Sequence, residues 1–284
     1  MNEVEFVILN YKDEIRVVNL TKKIVAMCDS FSVVVVDNES TSESFSRLDA
    51  INGEKKCSII RSEKNLGYTG GHNLAFDYIL NCRVKPQYIA VINSDVDFEL
   101  SLIENGVHYM GKNPNIGLLS ARMIENGSEK VCCWHFPTYK QFLGQTFWYI
   151  KNAPRIVAPY NIDDSEPLLK VDVIRGSFQL LSYEALNKVR CYDDMCFLYN
   201  FENIMSYELM KNGYDVYLMT NCYYLHNHKY GDKNNEWKRI KVMEQDSIHY
   251  LQDILNLPNY KVLFYRIISS LNFALLSLKK RIKI

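Results

Sequence analysis

The chain has 284 residues, 48% hydrophobic and 23% charged, with 33 basic residues against 33 acidic ones and a formal net charge of zero. That length buries a sizeable core, that composition fits an ordinary soluble globular protein, and the neutral balance excludes a general affinity for nucleic acid. The eight cysteines have no paired C-x-x-C spacing for zinc, so reduced and mostly buried thiols are expected. The N-terminus lacks the basic, apolar, small-residue order of a signal peptide, which predicts a cytoplasmic chain.

Phe6 to Asn10 and Phe31 to Asp37 are apolar runs rich in β-branched residues, and the stretch between them has helical spacing at Ile15, Val18, Ile24 and Val25. That is a β-α-β unit. Cys57 to Arg61 predicts a third strand, followed by a glycine-rich turn and a helix to about Leu80, and Tyr88 to Asn93 predicts a fourth strand. The alternation implies an α/β fold with a mostly parallel sheet and helices on both faces.

From 125 to 170 the period is lost and aromatic residues gather: Trp134, His135, Phe136, Phe142, Phe147, Trp148 and Tyr149. An insertion over the crevice is expected there. Leu168 to Ser177 predicts a strand ending at Gly176, Tyr183 to Val189 a helix, and 203 to 213 a helix closed by Gly213. Val216 to Met219 predicts a last core strand before a loop holding His226 and His228. One domain over 1–257, with a regular half (1–124) and a mixed half (125–257) that the resemblance described below would make the donor-nucleotide and acceptor halves, then precedes a tail over 258–284.

In such sheets ligands bind beyond the carboxyl ends of the strands. The polar residues cluster there: Asn10 and Tyr11, Asp37 and Asn38, Lys64 and Asn65, and Asn93 to Asp97. Asp95 and Asp97 follow a buried strand, where two carboxylates a residue apart can hold one hard divalent ion that bridges to a diphosphate. Capping of the next helix is the competing use of such aspartates. Between Lys64 and Asn73, Gly67, Gly70 and Gly71 let backbone approach a ligand closely, with Asn65 and Asn73 as amide partners. The run is neither a Walker A loop nor a dinucleotide fingerprint, so kinase and dehydrogenase readings lose ground.

Taken together, Ile8-Leu-Asn-Tyr11, Val36-Asp-Asn-Glu-Ser40, Asn65-x-Gly-x-x-Gly-Gly-x-Asn73 and Asn93-Ser-Asp95 resemble family 2 glycosyltransferases, above all their rhamnosyltransferase-like branch. The resemblance implies a GT-A fold and an inverting transfer from a nucleoside-diphosphate sugar, such as dTDP-rhamnose or a UDP-hexose, with Mn2+ or Mg2+ as cofactor. It implies a glycan or lipid-linked acceptor in bacterial surface polysaccharide synthesis, such as capsule or O-antigen. In that family Asp37 would contact the nucleobase with Tyr11 beside it. Asp95 would end the metal motif, whose first position is Asn93 here, with Asp97 as a helper and His226 completing the metal or diphosphate site.

Gly176-Ser177-Phe-Gln resembles the family's acceptor-side glycine turn, and Trp134 is expected on the same side. Phe197-Leu-Tyr-Asn-Phe-Glu202-Asn resembles the segment with the catalytic acid, which puts Glu202 where the family has Asp, or Asn203 there after a one-residue slip. Inverting displacement needs a carboxylate that takes the acceptor's proton. His72 is expected to pack against the glycine run. The rival readings are a nucleotidyltransferase and a non-catalytic nucleotide-sugar-binding protein of the same fold.

Lys261 to Ile284 carries Lys261, Arg266, Lys279, Lys280, Arg281 and Lys283 and no acid, and its longest uncharged stretch, Ile267 to Leu278, is too short to span a bilayer. The expectation is a surface-lying helix on the inner face of the plasma membrane, or a helix packed on the body or in a homodimer.

Overall fold

The computed structural model describes residues 3–53, 56–146, 158–163, 165–189, 192, 195–227 and 236–282. The expected β-α-β unit is β1 (Val4–Asn10), α1 (Glu14–Met27) and β2 (Phe31–Asn38). Every residue of β2 is buried, as expected of a strand covered on both faces. α1 buries Val17, Leu20, Thr21 and Ile24, a true i, i+3, i+4, i+7 face. Ile15, taken from sequence as part of that face, is instead 64% exposed.

α2 (Ser42–Asp49), capped by the Thr41 hydroxyl, leads to β3 (Cys57–Ser62). α3 (Gly67–Asn81) starts on the glycines themselves, and β4 (Tyr88–Ile92), β5 (Val96–Asp97), α4 (Leu100–Lys112) and β6 (Ile116–Glu125) follow. The aromatic stretch is not structureless: it holds β7 (Ser128–Lys130), β8 (Cys133–His135), α5 (Tyr139–Thr146) and β9 (Ala158–Pro159). Phe147, Trp148, Tyr149, Cys191 and His228 lie outside the described residues.

The single strand expected over Leu168 to Ser177 is divided into β10 (Leu168–Val171) and β11 (Val173–Ile174), with β12 (Phe178–Ser182) beyond the glycine turn. The chain changes sheets at Asp172, since β10 pairs with a strand of the main sheet and β11 with β8. The Asp172 carboxylate holds the corner by accepting from Phe136 N at 3.2 Å. α6 (Tyr183–Val189), α7 (Phe201–Lys211) and β13 (Asp215–His226) come next. α8 (Glu236–His249), a π-helical turn at Tyr250–Ile254 and α9 (Asn259–Ile282) complete the description. All seven described cysteines are free thiols.

The main sheet runs β10-β13-β6-β12-β4-β1-β2-β3, with β7 and β5 attached at β6 and β13, and β11-β8-β9 form a second, small sheet. β4, β1, β2 and β3 are parallel neighbours, and β13 is parallel to β6, while β12 opposes both β4 and β6. The mostly parallel sheet is therefore as expected. Its register sets Asn10 beside Asp37 and Asp37 beside Arg61, so polar residues of three strands end on one ledge.

Candidate active site

Asn10 and Asp37 are fully buried on that ledge. Asn10 Nδ2 donates to Asp37 Oδ1 and to Ser40 Oγ, each at 2.9 Å. Asp37 Oδ2 accepts no hydrogen bond and has only the Arg61 Nε at 3.7 Å nearby. A buried carboxylate oxygen without a donor is costly, so this atom suits an N–H donor from a ligand. Tyr11, next to Asn10 in sequence, is 44% exposed, with the Lys12 ammonium over its ring.

The next group, expected to meet a ligand, is occupied largely by the protein. A helix start leaves backbone groups without partners, and Asn38 supplies them: its Oδ1 accepts from Leu66 N at 2.8 Å and its Nδ2 donates to Gly67 O at 3.0 Å. Asn65 Oδ1 accepts from Gly67 N at 2.8 Å and from Asn38 Nδ2 at 3.2 Å. Asn73 is buried and exchanges two bonds with the Tyr192 backbone. Lys64 is exposed, and its carbonyl accepts from Ser62 Oγ at 2.7 Å.

Two of the three glycines let protein approach protein. Gly67 has a φ of +76°, and a Cβ there would sit 2.5 Å from Phe197 O, while one on Gly71 would sit 2.4 Å from Leu9 Cδ1. Only Gly70 meets nothing but its own helix, at Leu66 Cβ. His72 packs as expected: it is fully buried, its Nδ1 lies 2.7 Å from Tyr68 O, and burial pushes its pKa down to about 4 against the opposing effect of that carbonyl.

Beyond β4, Asp95 Oδ1 faces His226 Nε2 at 3.3 Å, with the two side chains 10% and 11% exposed. Pairing of β5 with β13 makes this meeting, with Val96 opposite His226 and Asn227 N donating to Asp95 O at 2.8 Å. Donors that bind one small cation side by side stand about 3 Å apart, so Asp95 and His226 would fit a shared divalent ion. Asp97, expected as the helper, is not brought to the pair. Its carboxylate is taken by Lys23 Nζ of α1 and accepts from Phe98 N at 3.0 Å. The alternation of a strand explains this, since residues two apart share a face only while the strand runs straight, and β5 is two residues long. Among the described residues no group of three His, Cys, Asp or Glu forms a ready metal cage.

On the acceptor side, Asn93 N donates to Ser177 O at 3.0 Å, and the Ser177 hydroxyl lies 2.8 Å from Tyr224 Oη. Ser177 thus ties β4 to the glycine turn and to β13. Gly176 makes room for α7, since a Cβ there would stand 2.2 Å from Phe201 Cζ and 3.4 Å from Glu202 Cγ. Trp134 is 5% exposed, and its Nε1 donates to Asn203 Oδ1 at 2.9 Å, which makes it a wall of the site and no platform for an acceptor. Asn203 is buried and also donates to Asn200 Oδ1 at 2.9 Å. Of Glu202 and Asn203, it is therefore Glu202, in the first turn of α7, whose side chain comes beside the Gly176 turn, next to the Phe201 ring.

The family model for glycosyl transferase family 2 matches residues 6–202, more than two thirds of the chain. The chain belongs to glycosyl transferase family 2. Its fold is that of solved GT-A glycosyltransferases. GalNAc-T7, solved with UDP, GalNAc and Mn2+, superposes with a TM-score of 0.62 at 11% identity over 91% of this chain and 52% of its own. The mannosyltransferase PcManGT from Pyrobaculum calidifontis, solved with GDP-Man and Mn2+, gives 0.59 at 12% identity over 97% of this chain and 75% of its own. The chain thus spans about half the length of the first of these. No curated protein matches it in sequence.

In this family 2 member, burial raises the Glu202 pKa, opposed by the backbone amides of Glu202 and Gly176 and by the Arg175 charge. Tyr68, which the motif reading passed over, donates to Gly176 O at 2.8 Å and stacks on Phe201 at 4.4 Å. Its phenol pKa is raised well above normal, by burial first and by the charges of both Glu202 and Asp95 among others. Asp246 of α8 was also missed. It is 1% exposed and accepts from three successive amides, Phe197 N, Leu198 N and Tyr199 N, just before Glu202. No local spacing announces that contact, which joins residues 47 to 49 apart.

Clefts also open at the other end of β4, lined by Lys85, Gln87, Tyr88 and Ser182, and beside Glu3, Phe31 and Glu104. Neither contains the polar strand ends, and the hydrogen-bonded ledge is the better guide to chemistry in a parallel sheet.

Proposed function

We propose that this protein transfers a sugar with inversion from a nucleoside-diphosphate donor to a glycan or lipid-linked saccharide. The donor is dTDP-rhamnose or a UDP-hexose, and the product belongs to a bacterial surface polysaccharide, as in the rhamnosyltransferase-like branch that the strand-end motifs resemble. One observation supports the reading: the Asp95–His226 pair lies at one end of the Asn93–Ser177–Gly176 bridge and Glu202 at the other, with Tyr68 donating to Gly176 O between α3 and that turn.

The buried, unpartnered Asp37 Oδ2 accepts an N–H of the nucleobase, and the exposed Tyr11 offers its ring to the base. Asp95 and His226 would hold Mn2+ or Mg2+, which would offset the charge developing on the departing diphosphate. The cation found with UDP and with GDP-Man in the two related structures supports this assignment. Glu202 takes the proton of the acceptor hydroxyl as its oxygen bonds to the anomeric carbon. The bond from that carbon to the phosphate oxygen breaks, and its electron pair leaves with the nucleoside diphosphate. A base must be ionised, so activity rises as pH passes upward through the raised pKa of Glu202.

Assaying transfer and donor hydrolysis over a panel of sugar nucleotides with Mn2+ tests the reading. Glu202→Gln should lower kcat by about 10²- to 10⁴-fold while calorimetry finds nucleotide binding intact. The wild-type acid limb of kcat/KM should lie above the ordinary glutamic acid range. Unchanged turnover in the variant would remove Glu202 from the mechanism. A wild type that binds the nucleotide and turns over no donor would instead favour a binding protein of this fold.

A further inference from the structure

α9 is held to the body along one side only. Val262 and Tyr265 are buried, Tyr265 meets the Phe142 ring of α5, and Tyr139 Oη donates to Lys261 O at 2.9 Å. On the opposite side, Tyr260, Leu263, Phe264, Ile267, Leu271 and Leu275 are each 49–69% exposed. Their spacing of three or four residues lines them up as one stripe down the helix. Monomeric proteins seldom leave so continuous an apolar row to water.

The charge around the stripe is one-sided. From Ile254 to Ile284 there are six basic residues and no acid, which leaves twenty-seven basic residues against thirty-three acidic ones in the rest of the chain. Lys261 and Arg266 fall to either side of the stripe on a helix of 3.6 residues per turn, and Lys279, Lys280, Arg281 and Lys283 follow it in sequence. No described helix is long and apolar enough to cross a membrane.

We propose that α9 docks the protein on an anionic lipid bilayer, lying in the plane of the surface with the stripe sunk to the boundary of headgroups and acyl chains. Basic flanks beside a row of Leu, Ile and Phe match the two layers such a helix meets. A second copy of the chain is a poorer occupant. Pairing stripe on stripe would set the cations of one tail against those of the other with no carboxylate between them, and like charges across an interface repel. The proposal stands apart from the sugar-transfer reading, because the stripe and its charge would be the same whatever the ledge binds.

Sedimentation of the full chain with vesicles decides it. Binding to phosphatidylcholine vesicles carrying about one third phosphatidylglycerol should be roughly tenfold tighter or more than to pure phosphatidylcholine, and should weaken in about 0.5 M salt. Ile267→Glu with Leu271→Glu should lose the binding while keeping the wild-type circular dichroism, since both side chains are exposed. Leu271→Gln alone provides a milder variant with the same expected direction. Equal binding by the wild type and both variants, or no vesicle binding by the wild type, overturns the proposal. So does self-association in sedimentation velocity that the substitutions abolish without any vesicle binding, which would make the stripe a contact between copies.

Discussion

Asp95 and His226 stand 3.3 Å apart with both side chains nearly buried, so little solvent reaches between them. A cation held there by two protein groups depends strongly on each, because phosphate oxygens alone must otherwise complete its shell. Asp95→Ala should therefore abolish the Mn2+-dependent tightening of UDP or dTDP binding in calorimetry. Asp97→Asn should keep it, since Lys23 occupies that carboxylate. Equal nucleotide affinity with and without Mn2+ in the wild type would sink the metal assignment. Burial moves two groups in opposite directions: it raises the Glu202 carboxyl, and it keeps the packed His72 ring neutral well below neutral pH.

α3 shows how a motif can be right and its physical reason different. Glycines at Gly67, Gly70 and Gly71 are legible as an unusual helix entry, yet two of them accommodate Phe197 and Leu9. Sequence cannot reveal this, because both partners are brought in by tertiary contacts. Gly67→Ala combines a left-handed φ with a backbone clash and should cost about 2–4 kcal/mol in urea unfolding. Gly70→Ala should stay within about 1 kcal/mol of wild type, because a helix favours Ala and only Leu66 must give way. Similar losses in both variants would mean that Gly70 is packed too. The loop before α7 carries the same lesson, as Asp246 orders its amides from a distant helix that no periodicity links to Glu202.

At the scale of the whole molecule, the strand ends were legible because a parallel sheet aligns them whatever covers it. Asn10, Asp37 and Asp95 could be placed from apolar runs alone. The acceptor half was less so, since its strands are short, change sheets at Asp172, and take their partners from far along the chain. The expected division at 124 and 125 is crossed by the sheet itself, where β12 lies between β4 and β6. A fragment of residues 1–124 should then fail to fold, with poor dispersion in its amide NMR spectrum, because β4 and β6 would each lack the strand between them. A well-dispersed spectrum would show that the first half folds as a unit of its own. Interleaving has a further meaning for catalysis. Asp95 follows β4, Gly176 precedes β12, and Ser177 bonds Asn93 across the seam, so the donor and acceptor sides share one rigid hydrogen-bonded floor. For the transfer proposed above, backbone bonds across that seam would oppose a hinge between the two halves and hold the reacting groups at one spacing.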